Sequence, residues 1–286
     1  MKCSLTFVLF VCCVGAVATM ADTPHPALDI VSRYQTTFSA PPSRAAGGSW
    51  SQATDAPLLG NGDLGVCISG PPEEQIFWVI KNDFWYLKNG KAVPLNFGTL
   101  QITAPALSNA VYAVRQTIVD AKTIATFTGK DSTVTETAFV AATANVMALT
   151  LSCKGNPVDL DISFQPNFYF PEEKNVGEDH GICFATRVIT NQTDIPVEAT
   201  VAWKIQGADA AKFALMPGKP VTLLLSMVSN FDAKETKAGA IAMLKGARPA
   251  ALEKAHKAWW RDFYRKSFVE IPDADIMRRY YISQYI

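Results

Sequence analysis

The chain has no excess of charge of either sign. Lysine plus arginine number 26, as do aspartate plus glutamate, and charged residues fill only 18% of 286 positions, against roughly 25% in a typical soluble domain. Residues 1–21 hold one charge, Lys2, so the remaining chain has 25 basic against 26 acidic side chains, a net charge of −1. That argues against nucleic acid or an anionic membrane surface as a partner. Histidine is scarce. His25, His180 and His256 stand far apart with no serine or cysteine nucleophile pattern around them, so a catalytic triad has no support. There is no Cys-x-x-Cys and no Cys/His cluster, hence no readable metal site and no cofactor. Beyond residue 21 no run of 18 apolar residues occurs, so no later segment reads as a membrane span.

Apolar residues are abundant instead, at 49%, enough for a large core and too many for a disordered chain. The 265 residues left after removing 21 from 286 suit one large β domain or two ordinary ones. The N-terminus reads as an export signal over residues 1–21. Lys2 is the positive region, Leu5–Val14 the apolar region, and Ala16-Val17-Ala18 or Thr19-Met20-Ala21 the cleavage site. A secreted or periplasmic location is expected, with mature chain beginning near Thr19 or Asp22. Cys3, Cys12 and Cys13 leave with the signal. Cys67, Cys153 and Cys183 remain; an odd number allows one disulfide plus a free thiol, or three small core residues.

Residues 22–49, rich in Pro, Ala and Ser, read as an extended lead-in. Over residues 50–230 the pattern becomes short and strand-like. Val158, Leu160, Ile162 and Phe164 alternate with Asp159, Asp161 and Ser163, and Val197–Ile205 alternates likewise. Period-two alternation buries one face and wets the other, as in antiparallel sheet. Further strands are expected at Gln75–Ile80, Thr99–Thr103, Ala110–Val119, Thr123–Thr128, Val146–Cys153, Ile182–Thr190 and Val221–Val228. Turn clusters such as Lys154-Gly155-Asn156-Pro157 separate them. Many short strands with regular turns predict a mainly β sandwich or barrel.

Residues 231–272 change character. Ala233–Gly246 reads as a helix, and Pro249–Ser267 as a stronger one, with Pro249 in its first turn and Leu252, Ala255, Trp259 and Phe263 on one stripe. Trp259 and Phe263 are expected to be buried against the β domain, with His256 and Trp260 also at the interface. Over 273–286, Asp273 or Asp275 caps a third helix carrying Ile276, Tyr280, Tyr281 and Ile282. That helix reaches Ile286 without a stop signal. The expectation is an aromatic surface with nothing to bury it, in the N-terminal part of a longer protein.

Two segments together carry a resemblance. Ala56-Pro57-Leu58-Leu59-Gly60-Asn61-Gly62-Asp63-Leu64-Gly65, followed by Gln75–Trp85 with its Lys81-Asn82-Asp83-Phe84-Trp85 ending, resembles the opening segment of glycoside hydrolase family 95. These are the inverting α-L-fucosidases and α-L-galactosidases. Family 95 members commonly have Arg at the position of Asp63, and the pairing of Gly-Asn-Gly-Asp with Lys-x-Asp-x-Trp is closer to bacterial relatives of that family. His256–Tyr264 with Ser267, Ile271-Pro272-Asp273 and Arg279-Tyr280-Tyr281 is similar to the linker helix and first barrel helix of such enzymes. The resemblance implies an antiparallel β-supersandwich, a C-terminal helical linker and the first helix of a truncated (α/α)6 barrel. It implies an exported carbohydrate-active enzyme whose catalytic residues lie in the barrel, so no catalytic residue is assigned here. The implied partners are an oligo- or polysaccharide and the barrel itself.

Gly60-Asn61-Gly62-Asp63 reads as a tight turn, or as a loop with Asn61 and Asp63 reaching a sugar pocket. Asp83 with Trp85 reads as a turn acid beside core aromatics, or as a carboxylate beside a sugar-stacking platform. Asn61, Asp63, Asp83 and Trp85 are therefore the substrate-binding candidates. Glu172, Glu173, Glu178, Asp179 and His180 form an acidic loop, read as solvated. Asp63 and Asp83 are expected to be water-solvated at strand ends, and a sandwich edge offers no deep pocket. The chain alone should hydrolyse nothing and bind sugars weakly or not at all. Rival classes are a stand-alone carbohydrate-binding or adhesion sandwich and a fragment with no independent role.

Overall fold

A computed structural model describes residues 25–42, 55–167, 173–191 and 193–285. The export signal over 1–21 lies outside them. In chain order the strands are β1 (Gln35–Phe38), β2 (Leu58–Gly60), β3 (Leu64–Ser69), β4 (Glu74–Lys88), β5 (Lys91–Thr103), β6 (Val111–Thr117), β7 (Lys122–Thr128) and β8 (Ser132–Val140). They continue with β9 (Val146–Gly155), β10 (Val158–Pro166), β11 (Glu173–Asp179), β12 (Ile182–Ile189), β13 (Val197–Gln206), β14 (Lys212–Leu215) and β15 (Val221–Ser229). The helices are α1 (Pro26–Val31), α2 (Thr236–Lys245), α3 (Pro249–Arg265) and α4 (Ala274–Tyr285).

Two antiparallel sheets stack face to face. The larger has nine strands in the order β1-β6-β7-β8-β9-β15-β13-β12-β11; the smaller has six, β14-β10-β5-β4-β3-β2. The alternation of Val158, Leu160, Ile162 and Phe164 puts exactly these side chains inside. They join Phe77, Phe84, Phe97 and Leu100 against Leu149, Leu151, Leu223 and Leu225 of the large sheet. Each such side chain contributes about 1.5–3 kcal/mol when fully buried. The longest hairpin, β4–β5, turns at Asn89-Gly90, both with positive φ (51° and 72°), as a two-residue hairpin turn requires.

The middle of the large sheet is covered on both faces. Strand β15 reads Val-Thr-Leu-Leu-Leu-Ser-Met-Val-Ser with only Thr222 half-buried, because α2 packs on the outer face with Ala240, Ile241 and Leu244 against Ala202, Leu224 and Val228. Gly239 permits that approach: a Cβ there would lie 3.2 Å from Val228 Cγ1. Hydroxyls fix the register of the helix. Ser226 Oγ donates to Ala240 O at 2.8 Å, and the Thr200 and Thr236 hydroxyls bond each other at 2.9 Å.

A third apolar cluster sits at one end, where α1, α3 and α4 gather Ile30, Val31, Ile118, Trp260, Tyr264 and Tyr281. Here the structure departs from three sequence expectations. The lead-in is not simply extended: its described part forms α1, and β1 pairs with β6 as an edge of the large sheet. The aromatic residues of α4 are not left bare. Tyr281 is fully buried and stacks on Tyr34 at 5.8 Å, while the Tyr285 hydroxyl bonds Leu58 O and accepts from Gln116 Nε2. The buried stripe of α3 is His256, Trp260 and Tyr264, whereas Trp259 remains 41% exposed. Polar anchors choose that stripe. Tyr264 donates to Ile118 O at 3.2 Å, His256 Nε2 donates to Asp120 O at 2.8 Å, and Glu253 pairs with Lys122.

Candidate functional site

Strand β4 brings inward-facing Phe77 and Val79 to the mouth of the sandwich, where the next inward position is Lys81, 4% exposed. A buried ammonium needs anionic partners, and it has three. Lys81 Nζ donates to Asp63 Oδ1 at 2.6 Å and Asp83 Oδ2 at 2.8 Å, and lies 3.1 Å from Asp232 Oδ2. Burial alone would push its pKa down, but the three carboxylate bonds outweigh that and hold it above its usual value. Ser229 Oγ donates to Asp83 Oδ2 at 2.7 Å, Ser229 N to Asp232 Oδ2 at 2.9 Å, and Asn145 Nδ2 to Asp63. The hub thus joins the small sheet to the ends of β9 and β15 in the large one. Asp63 and Asp83 remain partly exposed, with 36% and 28% of their side chains accessible, and both are also held by a buried cation that sequence reasoning did not foresee.

Asn61 organises the adjoining turn. Its Oδ1 accepts from Asp63 N at 3.0 Å and Leu64 N at 2.8 Å, while Nδ2 donates to Ala141 O and Ala144 O, both at 3.1 Å, and to Asn145 Oδ1 at 3.0 Å. Gly62 supplies the left-handed residue at φ 88°. The amide of Asn61 therefore braces the turn against the β8–β9 connection.

Beside this turn lies a cavity of about 980 Å³ between the outer face of the small sheet and the helices α3 and α4. Sequence reasoning did not foresee this open-sided cavity. Asn61, Asp63 and Trp85 line it; Asp83 sits behind, joined to Asp63 through Lys81. Outward-facing Ile80 and half-buried Tyr86, which also packs on the sandwich core, add to the sheet wall, and Trp259, Trp260, Phe263 and Tyr285 form the helical wall. Trp259 stacks flat on Phe263, with ring centroids 5.4 Å apart and planes 7° apart. A β-bulge opens the sheet wall: between the pairs Ile80↔Asn96 and Trp85↔Pro94 the ladder is interrupted. Among the described residues, Asp63 is the only acidic and Lys81 the only basic one on the cavity wall.

Other candidates lie elsewhere. The expected acidic loop is in part strand β11, which holds Glu173, Glu178 and Asp179; exposed His180 follows in the turn, where its Nδ1 meets Asp179 at 2.8 Å, and Glu172 lies outside the described residues. Cys67, Cys153 and Cys183 are free thiols, and burial pushes Cys67 up to about 11. Among the described residues no His/Cys/Asp/Glu group fits a metal ion, and no helix is long and apolar enough to cross a membrane. Besides Lys81 and Lys122, buried Arg187 and Glu136 also escaped sequence reasoning. Arg187 on β12 is fully buried, donates to Asn96 O at 2.7 Å and Phe97 O at 3.0 Å, and lies over the Phe84 ring. Glu136 on β8 faces the core near Tyr112, and desolvation pushes its pKa up to about 8. Both occupy inward positions of alternating strands that apolar side chains usually fill, and strand register alone would have flagged them.

Stacked antiparallel sheets of nine and six strands with a helical segment at one end define a β-sandwich, a fold shared with part of a larger solved protein. Among solved structures the chain is similar to a protein described as a kojibiose phosphorylase from human microbiome, with TM-score 0.58, 10% identity, and 88% of this chain covered against 41% of that one. A bacterial glucoamylase complexed with acarbose matches at TM-score 0.42, 11% identity, 80% of this chain and 40% of its own. A family GH92 α-mannosidase from Bacteroides thetaiotaomicron matches at TM-score 0.40, 8% identity, 90% and 40%. The chain thus spans about two fifths of the length of these structures. No protein-family model and no curated protein sequence matches it. At 10% identity the phosphorylase likeness establishes the fold.

Proposed function

We propose that this chain is the N-terminal, non-catalytic β domain of an exported carbohydrate-active enzyme, of the α-L-fucosidase and α-L-galactosidase type, whose catalytic carboxylates lie in a following (α/α)6 barrel. The observation that carries the reading is the shared fold over 88% of this chain and 41% of the phosphorylase chain. The chemistry is consistent with it. Glycoside hydrolysis by inversion needs an acid and a base on opposite sides of the bond, roughly 6.5–9.5 Å apart. Among the described residues the cavity wall carries one carboxylate, Asp63, and it is bonded to Lys81. In this reading α3 is the linker, α4 opens the barrel, and the export signal directs the protein out of the cytoplasm. A stand-alone binding sandwich is the competing reading.

The test assays aryl α-L-fucoside and α-L-galactoside with the 286-residue chain and with a polypeptide extended by the downstream coding sequence. Turnover is expected only from the extended chain. Turnover by the short chain that Asp63→Asn abolishes would overturn the reading and place the chemistry in the sandwich.

A further inference from the structure

We propose that His256 is an acid-sensitive latch, which holds α3 against the large sheet while its ring is neutral and loosens the helix when the ring takes up a proton. The inference is independent of the function proposed above. Both ring nitrogens are committed, in opposite senses. Nε2 donates to Asp120 O at 2.8 Å, on the β6–β7 turn, and Nδ1 accepts from Ala142 N at 3.2 Å, on the β8–β9 connection. One donor and one acceptor is the pattern of neutral imidazole, whereas the imidazolium has two donors and no acceptor. Both partners are main-chain atoms, a carbonyl and an N–H, so neither can exchange its role.

The surroundings offer a new charge little support. His256 is fully buried, with its ring centroid 4.8 Å from that of Phe139 on β8 and 6.4 Å from that of Trp260 on α3. The charged groups around it come from three elements: Lys122 of β7, Asp120 of the β6–β7 turn, and Glu253 and Lys257 of α3 itself. Glu253 already pairs with Lys122 and, at 3.0 Å, with Lys257. From β8 and the β8–β9 connection come Phe139 and Ala142, neither of them ionisable. Burial is the largest influence and keeps the ring's pKa below its ordinary 6.5; Lys122 adds to it, and the Asp120 backbone and carboxylate pull the other way.

With α3 docked, a proton on Nδ1 points an N–H at the Ala142 N–H and buries a cation with no acceptor at that nitrogen, both of which are costly. With α3 undocked, the ring lies in water and takes its proton near the ordinary value, about 6.5. Below that pH the undocked form therefore binds more protons than the docked one. Its population rises about tenfold per pH unit until the docked ring itself titrates. Docking is thus at full strength above about pH 6.5 and weakens as pH falls. Two neighbouring attachments of α3 keep their charge state between about pH 5 and pH 7. Pairing with Lys122 and Lys257 holds Glu253 below 4.5, and burial raises Tyr264 above its ordinary value.

The experiment follows amide hydrogen exchange in the 286-residue chain from about pH 7.5 to pH 5, corrected for intrinsic exchange rates, together with an NMR titration of the imidazole rings. Amides of α3 are expected to lose about tenfold in protection per pH unit below about 6.5, and to level off where the His256 ring titrates. Amides of β9 and β15 serve as the reference. Glu136, buried in the sandwich, acts on the whole fold in the opposite sense, since its raised pKa stabilises the protein as pH falls from about 8. His256→Gln offers one amide donor and one carbonyl acceptor to the same two partners and has no proton to gain, so its α3 protection should stay flat. Unchanged α3 protection in the parent across this range would overturn the proposal. So would an equal loss in His256→Gln, or a His256 ring that titrates at or above 6.5. If His256→Gln undocks α3 at every pH, the parent decides alone: protection that levels off with the His256 titration supports the latch, and a loss that ignores it refutes the latch.

Discussion

Lys81 gathers three carboxylates onto a single atom. Its ammonium is shared by carboxylates from the turn before β3, from β4 itself and from the turn after β15. Removing it leaves three acids crowded together at the sandwich mouth. Lys81→Met is therefore expected to cost about 3–5 kcal/mol, the usual loss when one partner of a buried ion pair is deleted, read as a lowered urea midpoint. The Lys-x-Asp-x-Trp segment was visible in the sequence, and it drew attention to Asp83 and Trp85. The lysine was passed over because its partner Asp232, and Asn145 and Ser229 that brace its carboxylates, lie far along the chain and no local pattern announces them. Glu136 makes a second prediction. The folded protein keeps it protonated up to about pH 8, while an unfolded chain releases that proton near 4.5. The unfolded state then binds fewer protons across that window, so stability falls as pH rises through it. His256, whose pKa burial lowers from 6.5, titrates below the upper part of the window. Between pH 6.5 and 8 the denaturant midpoint should drop in the parent and stay flat in Glu136→Gln, which should be the more stable protein at pH 8.

The helix α3 shows what a pattern of apolar residues can and cannot decide. Its existence and start were legible from Pro249 and the spacing of large side chains. Its buried face was not. Trp259 with Phe263 and Trp260 with Tyr264 are equally apolar stripes one residue apart. The choice between them was made by hydrogen bonds from His256 and Tyr264 to the β6–β7 turn, which only tertiary structure reveals. Trp260→Ala is accordingly expected to destabilise by about 3–5 kcal/mol, the range for deleting a buried large aromatic. Trp259→Ala should cost well under about 1 kcal/mol, in the range of surface substitutions. Equal midpoints for the two variants would contradict the orientation of the helix. The strands were read more faithfully: alternation over Val158–Phe164 maps directly onto one buried face, whereas over Val197–Ile205 Thr200 and Ala202 on the face expected to be wet are buried under α2. The cavity was not legible, because its two walls come from β2–β5 and from α3 and α4, more than 150 residues later.

At the scale of the molecule, the order of strands in the large sheet has a consequence for how the chain reaches this state. Strand β15 lies between β9 and β13, and it is the last strand in the sequence. During synthesis, β6–β9 and β11–β13 can each pair locally by hairpins, but each group keeps an open edge until Val221–Ser229 leaves the ribosome. The two half-sheets must wait for one late segment to join them, which is a slow, non-local step. That segment, Val-Thr-Leu-Leu-Leu-Ser-Met-Val-Ser, is uncharged and lacks proline and glycine, the composition of strands that self-associate when exposed. The residues that lock the finished sandwich are thus also those the nascent chain can least afford to leave unpaired.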